Sequence, residues 1–175
     1  VGAGGQMHGM VLLDEDEQII RPALLWNDSR TAAQGQAMLE AVGRERYLAI
    51  TGNDALVSFT ATKMLWVREH EPDAYARIRW VLQGADYAVY RMAGRAVTDH
   101  SNACAMGLYN LHARTWDRDV LSVSGVDGRI LPELGDPGTV AGYLLDEVAV
   151  DLGLRPGTPV VLGAWDQACA VVGAG

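Results

Sequence analysis

Residues 58–70 read Ser-Phe-Thr-Ala-Thr-Lys-Met-Leu-Trp-Val-Arg-Glu-His. The stretch mixes apolar residues at 64, 65 and 67 with charged residues at 63, 68 and 69. This spacing predicts a helix from Thr60 to Glu71 with one apolar face. Pro72 should stop the helix, because its ring cannot continue helical hydrogen bonding. Lys63 is the only lysine in the chain, and an exposed charge in the first turn is one interpretation of it.

Working outward from this helix, short apolar runs predict strands and longer mixed runs predict helices. The predicted strands cover residues 10–13, 23–26, 80–82, about 107–109 and 160–163. The predicted helices cover about residues 30–42, 44–50, 86–92, 116–123, 144–152 and 168–173. Asn27, Asp28 and Ser29 are candidate caps for the first of these helices, and residues 97–102 are predicted to form a polar loop. Strands mixed with helices throughout predict an α/β domain, whose strand order the pattern leaves open.

The composition favours a packed protein that binds small molecules. Hydrophobic residues make up 49% of the chain and charged residues 21%, which is typical of a globular fold. The net charge is −8 and the arginines are scattered, so we expect no nucleic acid as a partner. No apolar run approaches the roughly 20 residues that span a bilayer, so no membrane partner is expected. The two cysteines predict reduced thiols and a cytoplasmic protein.

Both ends of the sequence suggest a piece of a longer protein. The chain opens with Val1 rather than an initiator methionine, and it ends inside an apolar run at residues 171–175.

Asp166 is the candidate for chemistry. It follows the predicted strand at residues 160–163 and precedes a predicted helix, a position at which a carboxylate can be held rigidly and face a cleft. A carboxylate there could accept the proton of a hydroxyl nucleophile. The alternative is a simple helix cap, which a negative charge at a helix N-terminus also favours.

The pentapeptide Gly5–Gly9 is the candidate for ligand binding. His8 can donate or accept a hydrogen bond, and Met7 can supply an adaptable apolar wall. Trp26 could stack on the carbon skeleton of a polyol, with a core tryptophan as the alternative. A structural role for the histidine is the alternative at position 8.

A metal centre and a nucleotide loop are not predicted. No spacing of His, Cys, Asp or Glu is typical of a protein metal site, and no P-loop or Gly-x-Gly-x-x-Gly motif occurs.

The segment at residues 58–70 resembles the first signature of the FGGY family of carbohydrate kinases at every constrained position. The Met7-His8 loop is similar to the xylulokinase version of the family's substrate loop, and residues 25–31 resemble its Trp-x-Asp-x-Arg segment. The resemblance implies that Asp166 is the general base and that the substrate is bound by Met7, His8, Trp26, Asn102 and Gln167. Asn102 belongs, with Asp99 and Ser101, to a segment similar to the family's polar loop beside the sugar.

The resemblance also implies the fold and its extent. We expect a ribonuclease-H-like (actin-like ATPase) α/β domain, with a mixed sheet flanked by helices. Residues 1–175 would form most of the first, sugar-binding domain of such a kinase. The family's phosphate loop would precede residue 1, and the nucleotide-binding second domain would follow residue 175, so the fragment alone should be inactive.

The implied reaction is ATP-dependent phosphorylation of D-xylulose to D-xylulose 5-phosphate, with Mg²⁺ arriving on the nucleotide. Trp165 stands where the family usually has Gly, which keeps open a kinase for another ketose or polyol, such as ribulose or a glycerol-like compound. A noncatalytic sugar-binding module is a second alternative, and chance motif matches are a third. The expected partner is a small ketose or polyol, and a homodimer is compatible with these features.

Overall fold

The computed structural model describes all residues from 1 to 175. The helices are Ala32–Val42 (α1), Arg44–Thr51 (α2), Thr60–His70 (α3), Pro72–Ala76 (α4), Gly84–Ala93 (α5), His100–Cys104 (α6), Arg118–Ser124 (α7), Asp146–Asp151 (α8) and Asp166–Ala174 (α9). The strands are Gly2–Gly5 (β1), Val11–Leu13 (β2), Trp80–Leu82 (β3), Val97–Asp99 (β4), Tyr109–Asn110 (β5), Thr115–Trp116 (β6), Glu133–Gly135 (β7), Val140–Tyr143 (β8) and Pro159–Trp165 (β9). One 3₁₀ turn covers Gly128–Ile130.

The largest sheet has three strands in the order β1-β9-β8. Strand β1 is parallel to β9, with Ala3 opposite Leu162, whereas β8 is antiparallel to β9. Three further pairs form small sheets: β2 with β3 antiparallel, β4 with β7 parallel and β5 with β6 antiparallel. The predicted mixed sheet flanked by helices is confirmed, with α5 packed against β1, β8 and β9.

The main core lies under α1 and α3 rather than under the three-stranded sheet. Eighteen buried residues form it, including Met38, Met64 and Val67. A second group of seven buried residues, including Val89 and Val160, joins α5 to β9. The second cluster holds β9, the strand that directly precedes the candidate residue Asp166.

The predicted helices on either side of Gly43 and before Gly94 are confirmed. Gly52 and Gly94 end α2 and α5 with left-handed backbones, as glycine after a helix favours. The helix predicted for residues 60–71 is also confirmed: α3 ends at His70, before Pro72, and Pro72 itself begins the short helix α4. Proline suits the first turn, where its missing N–H would have no partner.

The polar loop predicted for residues 97–102 is wrong. Residues 97–99 form β4, and His100 begins α6. Asp99 caps α6 by accepting hydrogen bonds from the backbone N–H groups of Ser101 and Asn102. The error has a physical cause, because β4 pairs with β7, and a local polar pattern carries no information about a pairing that distant in sequence.

The predicted strand at residues 23–26 and the predicted cap of the next helix are also wrong. Only Leu24 makes an isolated bridge, to Met10. Helix α1 begins after Thr31 without a side-chain cap. The Asp28 carboxylate accepts a hydrogen bond from the guanidinium of Arg30 at 2.9 Å, and the Thr31 hydroxyl donates to the carbonyl of Val57. Neither side chain therefore caps α1.

No helix combines the length and the apolar character that crossing a membrane requires.

Candidate functional site

The parallel pair β1 and β9 brings the two ends of the chain together. Parallel strands have their carboxyl ends at the same edge of a sheet, where ligand clefts of α/β proteins commonly form. The segment after β1 contains Met7 and His8, and the segment after β9 begins at Asp166. Both segments line one cleft of about 310 Å³, whose lining residues are Gln6, Met7, His8, Trp26, Asp166 and Gln167. That volume is at the lower end of the roughly 300–1,000 Å³ found for small-molecule sites.

Asp166 is the first residue of α9 and is exposed to the cleft. One carboxylate oxygen accepts a hydrogen bond from the backbone N–H of Gln167 at 2.8 Å, and the other makes no hydrogen bond within the chain. The residue is therefore both anchored at a helix start and able to meet a ligand. Gln167 contributes to the same wall of the cleft.

His8 is held in an unusual backbone conformation. Its φ is 68°, in the left-handed region that non-glycine residues rarely adopt. Its backbone N–H donates to the Gln83 side-chain oxygen at 2.6 Å, and its carbonyl accepts from the Lys63 ammonium at 2.9 Å. Two buried side chains thus hold both polar groups of this peptide unit.

The ring of His8 is fixed as well. Nδ1 lies 3.1 Å from the backbone carbonyl oxygen of Ala105, and the ring stacks on Phe59 with centroids 5.2 Å apart. Burial lowers the pKa of His8 below its ordinary value, with the Ala105 carbonyl opposing and Lys63 adding to that change. The imidazole is therefore neutral near pH 7.

Lys63 is completely buried, contrary to the interpretation as an exposed charge. It also donates to the carbonyl of Ser58, in the turn that precedes α3. Burial lowers the pKa of Lys63 to about 8, with the carboxylate of Asp28 opposing that change. Its uniqueness in a chain rich in arginine was the sequence signal for a special role. Gln83, in contrast, carried no signal that a local pattern could have revealed.

Trp26 and Asn102 occupy very different environments. Trp26 is 55% exposed and borders the cleft, which excludes the core alternative. Asn102 does not line the cleft, since it is 1% exposed and its amide donates to Asp99 at 2.5 Å. Its backbone carbonyl accepts from the Gln83 amide at 2.6 Å. The structure therefore places Met7, His8, Trp26, Asp166 and Gln167 together and places Asn102 behind them.

Trp165, the residue before Asp166, is linked to the buried polar layer formed by Asp99, Ser101, Asn102 and Gln83. The backbone N–H of Trp165 donates to the Ser101 hydroxyl at 3.3 Å, and that hydroxyl donates to Asp99. Asp99 and Ser101 thus connect α6 with the end of β9.

A larger cavity of about 500 Å³ lies elsewhere, between residues 16–19 and the end of α5. It receives no side chain from the segments after β1 or β9. The smaller cleft is the stronger candidate, because convergent polar groups identify a binding site better than volume does.

Asp166 is the only carboxylate among the residues that line the cleft. No group of three or more His, Cys, Asp or Glu side chains in the chain lies close enough together to hold a metal ion. These residues alone do not form a magnesium site.

Comparison with known proteins identifies the family. Residues 1–173 match the description "FGGY family of carbohydrate kinases, N-terminal domain". The chain belongs to the FGGY family. The whole of this FGGY chain is 41% identical over 175 residues to the xylulose kinase of Bacillus subtilis (strain 168), covering 35% of that protein. It therefore spans about a third of the length of the relatives it matches.

Solved structures give the same fold for this FGGY domain. The crystal structure of xylulose kinase from Rhodospirillum rubrum matches 98% of the chain with a TM-score of 0.92 at 28% identity, and the match covers 36% of that chain. A gluconate kinase from Lactobacillus acidophilus matches 93% of the chain with a TM-score of 0.86 at 24% identity, covering 33% of its own chain. The expected actin-like ATPase fold is confirmed, as is the resemblance to FGGY kinases.

Proposed function

We propose that this domain supplies the sugar site and the catalytic base of an ATP-dependent kinase that converts D-xylulose to D-xylulose 5-phosphate. One observation carries the proposal. Asp166 and His8 come from opposite ends of the chain and line the same cleft of about 310 Å³. The identity to the xylulose kinase of Bacillus subtilis supports the choice of D-xylulose.

The chemistry assigned to the chain is orientation of a hydroxyl and acceptance of its proton. Asp166 takes the proton of the terminal hydroxyl as that oxygen forms a bond to the γ-phosphorus. The bond from that phosphorus to the ADP oxygen breaks, and ADP leaves. MgATP supplies the phosphoryl group, and we propose that it is held by parts of a longer protein. A general base of this kind contributes roughly 10²–10⁴-fold to the rate.

The remaining cleft residues hold the ketose. Trp26 offers an aromatic face to its C–H groups, Met7 an apolar wall, and Gln167 an amide that can both donate and accept. Asn102 acts from behind the cleft, through its contacts with Asp99 and Gln83. A longer protein would close over both substrates and exclude water, which limits hydrolysis of ATP.

A kinase for another sugar or polyol is the second candidate. Trp165 supports it, because a tryptophan stands directly before the proposed base, where the family usually has Gly. A gluconate kinase shares this fold, so the fold by itself does not select the substrate.

The first experiment is a coupled ADP-release assay on the full-length protein with D-xylulose, D-ribulose, L-ribulose and glycerol in parallel. We expect the highest kcat/KM for D-xylulose. A preference for another compound would favour the second candidate. Absence of turnover with all four would contradict the kinase proposal and favour a sugar-binding module.

Asp166→Asn tests the assignment of the base. We expect kcat to fall by roughly 10²–10⁴-fold, with the dissociation constant for D-xylulose changed by less than about threefold. Asp146→Asn is the matched control, because Asp146 is likewise an exposed aspartate at the first position of a helix, away from the cleft. Turnover of Asp166→Asn within about tenfold of wild type would remove Asp166 from the mechanism.

A further inference from the structure

Three partly buried contacts determine how His8 faces the cleft. The backbone N–H is bound by Gln83, the backbone carbonyl by Lys63, and Nδ1 by the carbonyl of Ala105. A left-handed backbone at a non-glycine residue costs on the order of 1–3 kcal/mol and persists only where surrounding contacts enforce it. Lys63 and Gln83 are the side chains that make those contacts.

The contact at Nδ1 also fixes the tautomer of the ring. A carbonyl oxygen can only accept a hydrogen bond, so the proton between Nδ1 and Ala105 must be on the histidine. In the neutral ring Nε2 then carries no proton and is an acceptor. Nε2 has no hydrogen-bond partner in the chain and is not among its buried unpaired polar atoms, so it is accessible. His8 is one of the residues that line the cleft.

We propose that Lys63 and Gln83 are positioning residues that hold His8 with Nε2 facing the cleft as a hydrogen-bond acceptor, so that His8 recognises a hydroxyl group of the ligand. This inference rests on the proposed function for its ligand class. It limits the ligand group that His8 can bind to a hydrogen-bond donor, because Nε2 as an acceptor cannot bond the ketone oxygen of a ketose. Lys63 and Gln83 touch His8 and not the ligand, since neither lines the cleft.

The helix that carries Lys63 also provides a matched control. Arg68 lies on α3 as well, and its guanidinium donates to two backbone carbonyls, those of Ser124 at 2.7 Å and Gly125 at 3.0 Å. Lys63→Met and Arg68→Met each remove one cation from α3, and each of these cations binds two backbone carbonyls elsewhere in the chain. Only the first removes a contact to His8.

The kinetic test uses the full-length enzyme with its best substrate from the panel. We expect Lys63→Met to lower kcat/KM at least tenfold, mainly through a higher KM, and Lys63→Arg to recover part of the loss. The kcat/KM of Arg68→Met should stay within about twofold of wild type, even if its unfolding temperature falls as much as that of Lys63→Met. Equal kinetic losses in Lys63→Met and Arg68→Met at equal loss of unfolding temperature would overturn the positioning role.

Deoxy analogues of the substrate, each lacking one hydroxyl, test what His8 recognises. We expect one analogue to be at least tenfold worse than the parent sugar with wild type, and that penalty to shrink to within about threefold in His8→Ala and Lys63→Met. A penalty that stays unchanged in both variants for every analogue would overturn hydroxyl recognition.

The tautomer of His8 can be measured without any activity assay, so the inference about His8 can be tested separately from the proposed function. Nitrogen NMR of the full-length wild-type protein with ¹⁵N-labelled histidine should show a neutral histidine with the proton on Nδ1 whose signal is lost in His8→Ala. His70, whose Nδ1 lies 3.0 Å from the carbonyl oxygen of Trp66, should keep its own signal in that variant. A proton on Nε2 would overturn the inference even for an active kinase. The expected tautomer together with no turnover in the sugar panel would instead contradict only the proposed function.

Discussion

Ionisable groups buried behind the cleft residues are the notable feature at the scale of single residues. Lys63, Asp86 and Asp99 are exposed by no more than 3%. Each is matched to polar partners, since an unpaired buried charge costs several kcal/mol. Asp86 accepts a hydrogen bond from the backbone N–H of Gln83 at 3.0 Å, and this contact orients the residue that holds His8. The buried polar layer is therefore part of the site, although none of the three residues lines the cleft.

Asp86→Asn gives a pH prediction at this scale. Burial raises the pKa of Asp86 to about 7, so the unfolded chain loses this proton at lower pH than the folded protein does. The carboxyl therefore contributes stability that is present below about pH 4 and is lost as the pH rises through about 7. We expect wild type to lose on the order of 4 kcal/mol relative to Asp86→Asn across that range. Unfolding temperatures of both proteins across the range measure it.

Asp146→Asn serves again as the control, because Asp146 is exposed whereas Asp86 is buried. A difference between wild type and Asp86→Asn that does not change from about pH 4 to about pH 7 would contradict this prediction.

At the scale of elements, the close approach of β1 and β9 positions the site. Gly163 on β9 faces the backbone of Ala3 on β1, and a Cβ added there would lie 2.1 Å from the Ala3 carbonyl oxygen. No side chain can be accommodated without moving a strand. The segments that carry His8 and Asp166 follow these two strands directly, so their separation depends on this contact.

Gly163→Ala should therefore damage the site more than its size suggests. We expect a loss of about 1–3 kcal/mol in stability, as overpacking typically causes, and a fall in kcat/KM of at least tenfold because the two strands must separate. Gly84→Ala is the control, since its added Cβ meets nothing within 4 Å. Kinetics and unfolding temperatures of both variants measure the effect. Near-normal kinetics in Gly163→Ala would show that the site tolerates this displacement.

At the scale of the whole molecule, the cleft is assembled from three distant segments. Residues 6–8 and 166–167 meet because the first and last strands are neighbours in one sheet, and Trp26 joins them from a third segment. Side chains from the two ends of the chain should therefore act on the same bound ligand. Effects of substitutions at such sites are not additive when they share a partner.

A double-mutant cycle tests this assembly. We expect His8→Ala and Gln167→Ala to show a coupling of about 0.5–3 kcal/mol in the dissociation constant for the sugar. The control pairs His8→Ala with Gln36→Ala, an exposed glutamine whose amide donates to Glu40 on the surface of α1. That pair should be additive within about 0.5 kcal/mol. Additive effects in both cycles would indicate that His8 and Gln167 do not contact one ligand.

The sequence by itself determined the α/β class, most helices and the motifs at Met7-His8, residues 58–70 and Asp166. Each of these depends on residues close together in the chain, where periodicity, glycine and motif spacing act. Only the tertiary structure decided that β1 pairs with β9, that residues 97–99 are a strand, that Lys63 is buried against His8, and that Asn102 lies behind the cleft. Those features depend on contacts between residues far apart in sequence, whose hydrogen bonds and burial no local pattern contains.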